Sequence, residues 1–253
     1  MGHRPSRHSH QIKKYQKFID TRAPEIRHSV EVAIKGHRFM RVKQPKGAKG
    51  SLKWLQRAVE RRPDLLQPDD IPQIEWRSPL KSDDYAEYRD RDFLNLVGCA
   101  QHADALSDFW PRGGPQWDAL GVSETGPVLV EAKAHIPEFF SSRTAATEPS
   151  KHRIESSLRK VAIDLGATRP DLWSEIYFQY CNRLAFLWWL REQGVKATLF
   201  YVCFLNDPDL NGPTKPETWD AAFASANYAL GLSKRHKLSG SIKYLYPDVT
   251  QLS

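Results

Sequence analysis

The sequence predicts an α/β fold, a mixed central sheet flanked by helices, with a basic N-terminal extension. Three observations carry this reading. From residue 83 onward the hydrophobic patterns run helix, strand, strand, helix, strand. One of those strands, Thr198–Leu205 (TLFYVCFL), is a continuous apolar, β-branched and aromatic run, which fits a strand covered on both faces. Charge is also split along the chain. Residues 1–62 hold 17 Lys+Arg against 4 Asp+Glu, and residues 63–253 hold 20 against 26, so a +13 region precedes a −6 body within a net charge of +7.

The elements follow in order. Residues 1–28 are rich in His, Lys and Arg without periodicity and read as a solvated basic arm. Val30–Ile34 alternates apolar and polar residues and predicts a short strand, with a second over Arg38–Val42. Ser51 stands where an N-cap would, before a helix from Leu52 to Arg61 that lines up Leu52, Leu55 and Val59 and stops at Pro63. The loop Pro68–Pro72 places the boundary between a basic N-terminal region, 1–72, and a main domain, 73–253. Asp83 to Ala100 reads as helix, Leu106–Trp110 as a further strand, and PRGGP at Pro111–Pro115 as a tight turn. Gln116–Val122 and Val128–Ala134 are two strands joined by the turn Glu124–Pro127. Helices are expected over Ile154–Leu165, Leu172–Gln193 (ended by Gly194) and Glu217–Ser233.

Composition excludes several classes. The longest apolar run, Leu184–Leu190, is far below the ~18 residues a spanning helix needs, so no membrane partner is expected. The basic N-terminus leads into no apolar stretch and is not a secretory signal. Cys99, Cys181 and Cys203 are odd in number and far apart, which excludes a disulfide framework or zinc ribbon and predicts a reducing cytoplasmic setting. A basic region on a mildly acidic body predicts a polyanionic partner.

The chemistry concentrates around the two hairpin strands. Side chains alternate along a strand, so Leu129, Glu131 and Lys133 share a face, and Gln116, Asp118 and Leu120 share a face on the strand before. The hairpin can bring Asp118 beside Glu131, with Lys133 next to both. Charges at the end of apolar strands need pairing or a metal. Two close carboxylates suit a hard divalent cation, Mg²⁺ or Mn²⁺. A lysine there can serve an attacking water or a phosphate. The rival reading is a structural salt bridge between Lys133 and a carboxylate at the sheet edge.

Asp118, the strand–turn–strand after it and Glu131-Ala132-Lys133 resemble the PD-(D/E)XK nuclease superfamily, the restriction-endonuclease-like fold, over roughly residues 75–210. The proline–acid pair of the motif is absent; Asp118 follows Trp117. The resemblance implies Mg²⁺ held by Asp118, Glu131 and the Ala132 carbonyl, with Lys133 assisting the water. It also implies a third acid from the preceding helix, Glu87 or else Glu75, and a glutamine on the following helix, Gln179. The implied activity is hydrolysis of phosphodiester bonds, with DNA preferred to RNA as substrate. The alternative is an inactive fold of this kind that binds nucleic acid or acts in assembly. Arg112, Arg183, Lys46, Lys49 and Lys53 are the expected phosphate contacts. A homodimer, or a partner in a defence or repair system, is compatible with the sequence.

Overall fold

The computed structural model describes residues 41–252. The expected basic arm and the strand at Val30–Ile34 lie outside the described residues. Five strands form one mixed sheet: β2 (Glu75–Ser78), β4 (Ala119–Ser123), β5 (Gly126–Lys133), β6 (Thr198–Cys203) and β7 (Ile242–Leu245), in the order β2-β4-β5-β6-β7. The β2–β4–β5 half is antiparallel and the β5–β6–β7 half parallel. Two short strands, β1 (Arg41–Val42) and β3 (Glu87–Tyr88), pair separately. The helices are α1 (Gly50–Arg61), α2 (Asp90–Leu96), α3 (Ala103–Phe109), α4 (Ser150–Asp164), α5 (Phe178–Glu192) and α6 (Pro216–Leu230).

The sheet is covered on both faces, which is why β5 and β6 read as apolar runs. Leu120, Leu129, Leu199 and Tyr201 pack on α4, α5 and α6 in one core, with Leu158, Leu184, Leu187 and Phe223 among its fully buried or nearly buried members. Ala119, Val128, Val130, Ala132, Phe200 and Val202 form the other, closed by α1 through Trp54, Leu55, Ala58 and Val59. The residues on either side of the boundary at 72 thus share one core among the described residues. The α1 helix begins at Gly50 without a side-chain cap from Ser51.

The β4–β5 hairpin depends on a glycine. Gly126 has φ 138, a region open to glycine, and a Cβ there would sit 2.5 Å from the Lys196 carbonyl oxygen.

Several expectations are corrected. Asp83–Ala100 is not one helix: Asp84 and Tyr85 both take left-handed φ values, 51° and 50°, and break it. Glu87 consequently lies on β3, where it pairs with Val42, and only Asp90–Leu96 is helical. Leu106–Trp110 is the end of α3, because Ala103 and Leu106 bury one helical face. The long helix from Leu172 is two pieces, a 3₁₀ turn at Pro170–Ser174 and then α5, separated by Tyr177 at φ 49. The strands β2 and β7 were not expected at all.

Candidate active site

The register of the hairpin builds the site. Ala119 pairs with Val130, so one step further along the same ladder sets Asp118 against Glu131. There the β4 chain turns away from β5: Trp117 donates its N–H to the Tyr88 carbonyl at 3.0 Å and bridges antiparallel to Tyr88. One step along that second register sets Glu87 against Asp118. Trp117 anchors the turn, fully buried against Phe93 and Phe186. Three carboxylates on three chain segments, Glu87, Asp118 and Glu131, are thereby brought to one end of the sheet.

The divergence also leaves one side of β5 open. Ala132, beyond the last β4 pair, donates its N–H to Asp118 Oδ2 at 2.7 Å. In extended backbone the N–H and C=O of one residue point to the same side, so the Ala132 carbonyl is directed toward Asp118 as well. The alternation holds at the next residue: the Lys133 carbonyl turns to the opposite edge and accepts from Phe204 N–H at 2.8 Å.

Glu131 is almost wholly buried, 1% exposed, and both its oxygens are engaged. One accepts from Lys133 Nζ, the other from Arg183 Nε at 2.6 Å. Burial works against its charge, but Arg183 and Lys133 outweigh burial and hold its pKa below the usual carboxylate value. Asp118 is the reverse. Burial and then the neighbouring Glu131 push its pKa well above the ordinary value, with Glu87 adding to the effect and Lys133 opposing it. Glu87 is raised too, chiefly by burial, although it accepts from Gln116 Nε2 and from Gln44 Nε2, the latter at 2.9 Å.

The α5 helix supplies the opposite wall. Gln179 Oε1 accepts from Lys133 Nζ at 2.9 Å, and the Gln179 backbone N–H is held by Ser141 Oγ at 2.8 Å. One turn on, Arg183 also donates to the Gln116 carbonyl at 2.8 Å and to Asn182 Oδ1 at 2.9 Å, and lies 4.9 Å from the centre of the Trp117 ring. These groups open on a pocket of about 830 Å³ whose lining includes Glu87, Gln116, Asp118, Gln179, Asn182 and Arg183.

Of the other expected residues, Glu75, Lys46, Lys49 and Lys53 do not line this pocket. Glu75 is exposed on β2 and pairs with Arg77 at 2.8 Å, far along the strand from Asp118, so Glu87 is the acid that joins the group. Arg183, expected as a phosphate contact, is 3% exposed and bound to Glu131, and it lines the pocket. Lys53 pairs with Asp209 at 2.5 Å beside the Trp54 ring. Lys46 and Lys49 are exposed in the loop before α1. Arg112 is exposed on the pocket rim, but the backbone N–H groups of Gly113 and Gly114 behind it are taken by the Asp90 carboxylate at 3.0 and 2.9 Å. Sequence reasoning did not connect Arg183 to Glu131. The clue was a lone arginine in an apolar helix, which requires a buried partner.

The donor set has the chemistry of a hard-cation site: carboxyl oxygens with raised pKa values beside a backbone carbonyl on an open strand edge. As the side chains stand, no three His, Cys, Asp or Glu groups among the described residues are gathered closely enough to hold one ion. Glu131 is turned to its two cationic partners instead. Compared with known proteins, the chain matches no family model, and no curated protein or solved structure is significantly similar to it. Among the described residues no helix is long and apolar enough to cross a membrane.

Proposed function

We propose that this chain is a Mg²⁺-dependent nuclease with a restriction-endonuclease-like core, hydrolysing phosphodiester bonds, with DNA as its substrate. One observation carries the reading: the two strand registers set Glu87, Asp118 and Glu131 at one end of the sheet, with Glu87 and Asp118 lining an open pocket and the buried Lys133 tied to both Glu131 and the pocket-lining Gln179. Asp118, Glu131 and the Ala132 carbonyl, joined by Glu87, are the groups that would hold Mg²⁺ or Mn²⁺. When bound, the ion supplies Lewis-acid activation of water and charge neutralisation at the phosphate.

The protein's own groups account for the rest. An ammonium has three donors, and the two bonds of Lys133 leave one for a water or a phosphate oxygen. Gln179, fixed through Ser141, keeps the lysine in place. Arg183 compensates the charge of Glu131, so that carboxylate stays ionised although buried. The raised pKa of Asp118 reflects a group whose charge lacks sufficient compensation from protein alone, which is the state a cation relieves.

The test is cleavage of labelled duplex, single-stranded and branched DNA, and of RNA, with Mg²⁺ present. The wild type is expected to cut DNA, and Lys133→Ala to lower the rate about a hundredfold to a thousandfold, as loss of a charge-stabilising donor does. Equal cutting by both proteins would remove Lys133 from the chemistry.

The saturation of Glu131 by Lys133 and Arg183 favours a second reading, a binding protein that keeps the fold without catalysis. It predicts nucleic-acid affinity unchanged in Asp118→Ala and Glu131→Ala, no Mn²⁺ binding by the wild type, and no cleavage under any divalent cation.

A further inference from the structure

We propose that Phe140 is a stacking platform for an unpaired base, so that the substrate enters the pocket as a single strand; this rests on the nucleic-acid reading of the site. Of the large hydrophobic side chains left exposed among the described residues, Phe140, Ile163 and Tyr228, only Phe140 lines the pocket that holds Asp118 and Glu87. It is 59% exposed, so its ring is available to a ligand in that pocket.

Its placement is firm. Phe140 follows the 3₁₀ turn Ile136–Phe139, which continues directly from the end of β5, and its N–H is bonded to the Pro137 carbonyl at 3.3 Å. Glu138 fixes that turn by accepting from the Ala134 N–H at 2.8 Å. One side of the ring is braced by Tyr177 at 5.4 Å and by Phe139 at 6.3 Å. Most of the rest of the ring faces solvent at the pocket mouth.

Two exposed cations share the pocket with it: Arg143, three residues on, and Arg112, in the Pro111–Pro115 turn, both line it. Neither makes an ion pair among the described residues, whereas Arg41, Arg62, Arg77, Arg91, Arg159 and Arg183 do. A rigid exposed aromatic face in one pocket with two guanidinium groups that make no ion pair is what a base with its adjoining phosphates requires. The pocket volume, about 830 Å³, is that of a small-ligand cleft and suits one or two nucleotides rather than a duplex. An apolar protein partner would leave both arginines without a counter-ion.

The experiment measures affinity of the full chain for fluorescein-labelled oligothymidylate and for a duplex of equal length, by anisotropy with Ca²⁺ in place of Mg²⁺. Phe140→Ala is expected to weaken oligothymidylate binding roughly tenfold or more, with duplex binding changed less than about twofold, and Phe140→Trp to restore it. Arg143→Ala is expected to weaken the same binding and to reduce its salt dependence by about one ion. Unchanged oligothymidylate affinity in Phe140→Ala, or equal losses on both probes, overturns the stacking role while leaving the nucleic-acid reading intact. Failure of the wild type to bind either probe overturns both.

Discussion

Glu131 keeps its charge in a place where water cannot reach it, and two residues make that tolerable. Removing one partner of a buried ion pair leaves an uncompensated charge, which costs about 3–5 kcal/mol. Arg183→Ala should therefore destabilise the fold by about that amount, measured by urea denaturation, and Arg183→Lys should recover only part of it because the forked contact to Glu131 and the Gln116 carbonyl is lost. Asp118 has the opposite sign. Its folded-state pKa is raised, so the stability it contributes is present below its unfolded pKa near 3.8 and is lost as pH rises through the folded value. At neutral to alkaline pH, with chelator present, Asp118→Asn should raise stability by about 1 kcal/mol while abolishing cleavage, the trade-off of a functional charge. No stabilisation across that pH range would mean the carboxyl is not strained there. At this scale strand alternation put Asp118, Glu131 and Lys133 side by side, whereas Gln179, on a helix, was named only through the resemblance. The sequence was silent on Arg183 meeting Glu131, since that contact joins a helix to a strand 52 residues away.

Elements decide how those residues meet. The apolar runs at β5 and β6 were legible because both faces of each strand are covered. The short strands were not. β3 has two residues and β2 and β7 four each, too few for a period to register, and they exist through pairing with distant chain. The break before β3 was equally hidden, because left-handed Asp84 and Tyr85 sit in a sequence with good helical spacing. That break matters, since it moves Glu87 from a helix face to a strand whose register points it at Asp118. The α1 helix is the second lesson. Its positive charges suggested an appendage, but its apolar face closes the second core through Trp54, Leu55 and Ala58. Leu55 is 2% exposed, so Leu55→Ala should cost about 2–5 kcal/mol and lower the single cooperative transition of the whole domain, followed by tryptophan fluorescence and far-UV dichroism together. A separate early transition would show that α1 folds apart from the sheet.

Across the whole molecule, one end of the sheet gathers what the functional reading needs. Glu87 and Asp118 line a pocket together with Phe140, Arg112 and Arg143, and Glu131 is buried beside them. The net charge of +7 conceals this separation of a +13 N-terminal region from a −6 remainder that includes the acid cluster. The central claim is that these acids form one cation-dependent catalytic site, and a crystal structure with Mn²⁺ tests it most directly. An anomalous peak is expected between Asp118 and Glu131, about 2.0–2.2 Å from their oxygens, with the Ala132 carbonyl in the same shell. Glu131 would release at least one of its present contacts to reach it. A crystal at high Mn²⁺ with no peak there, and Glu131 still bound by both Lys133 and Arg183, would contradict it.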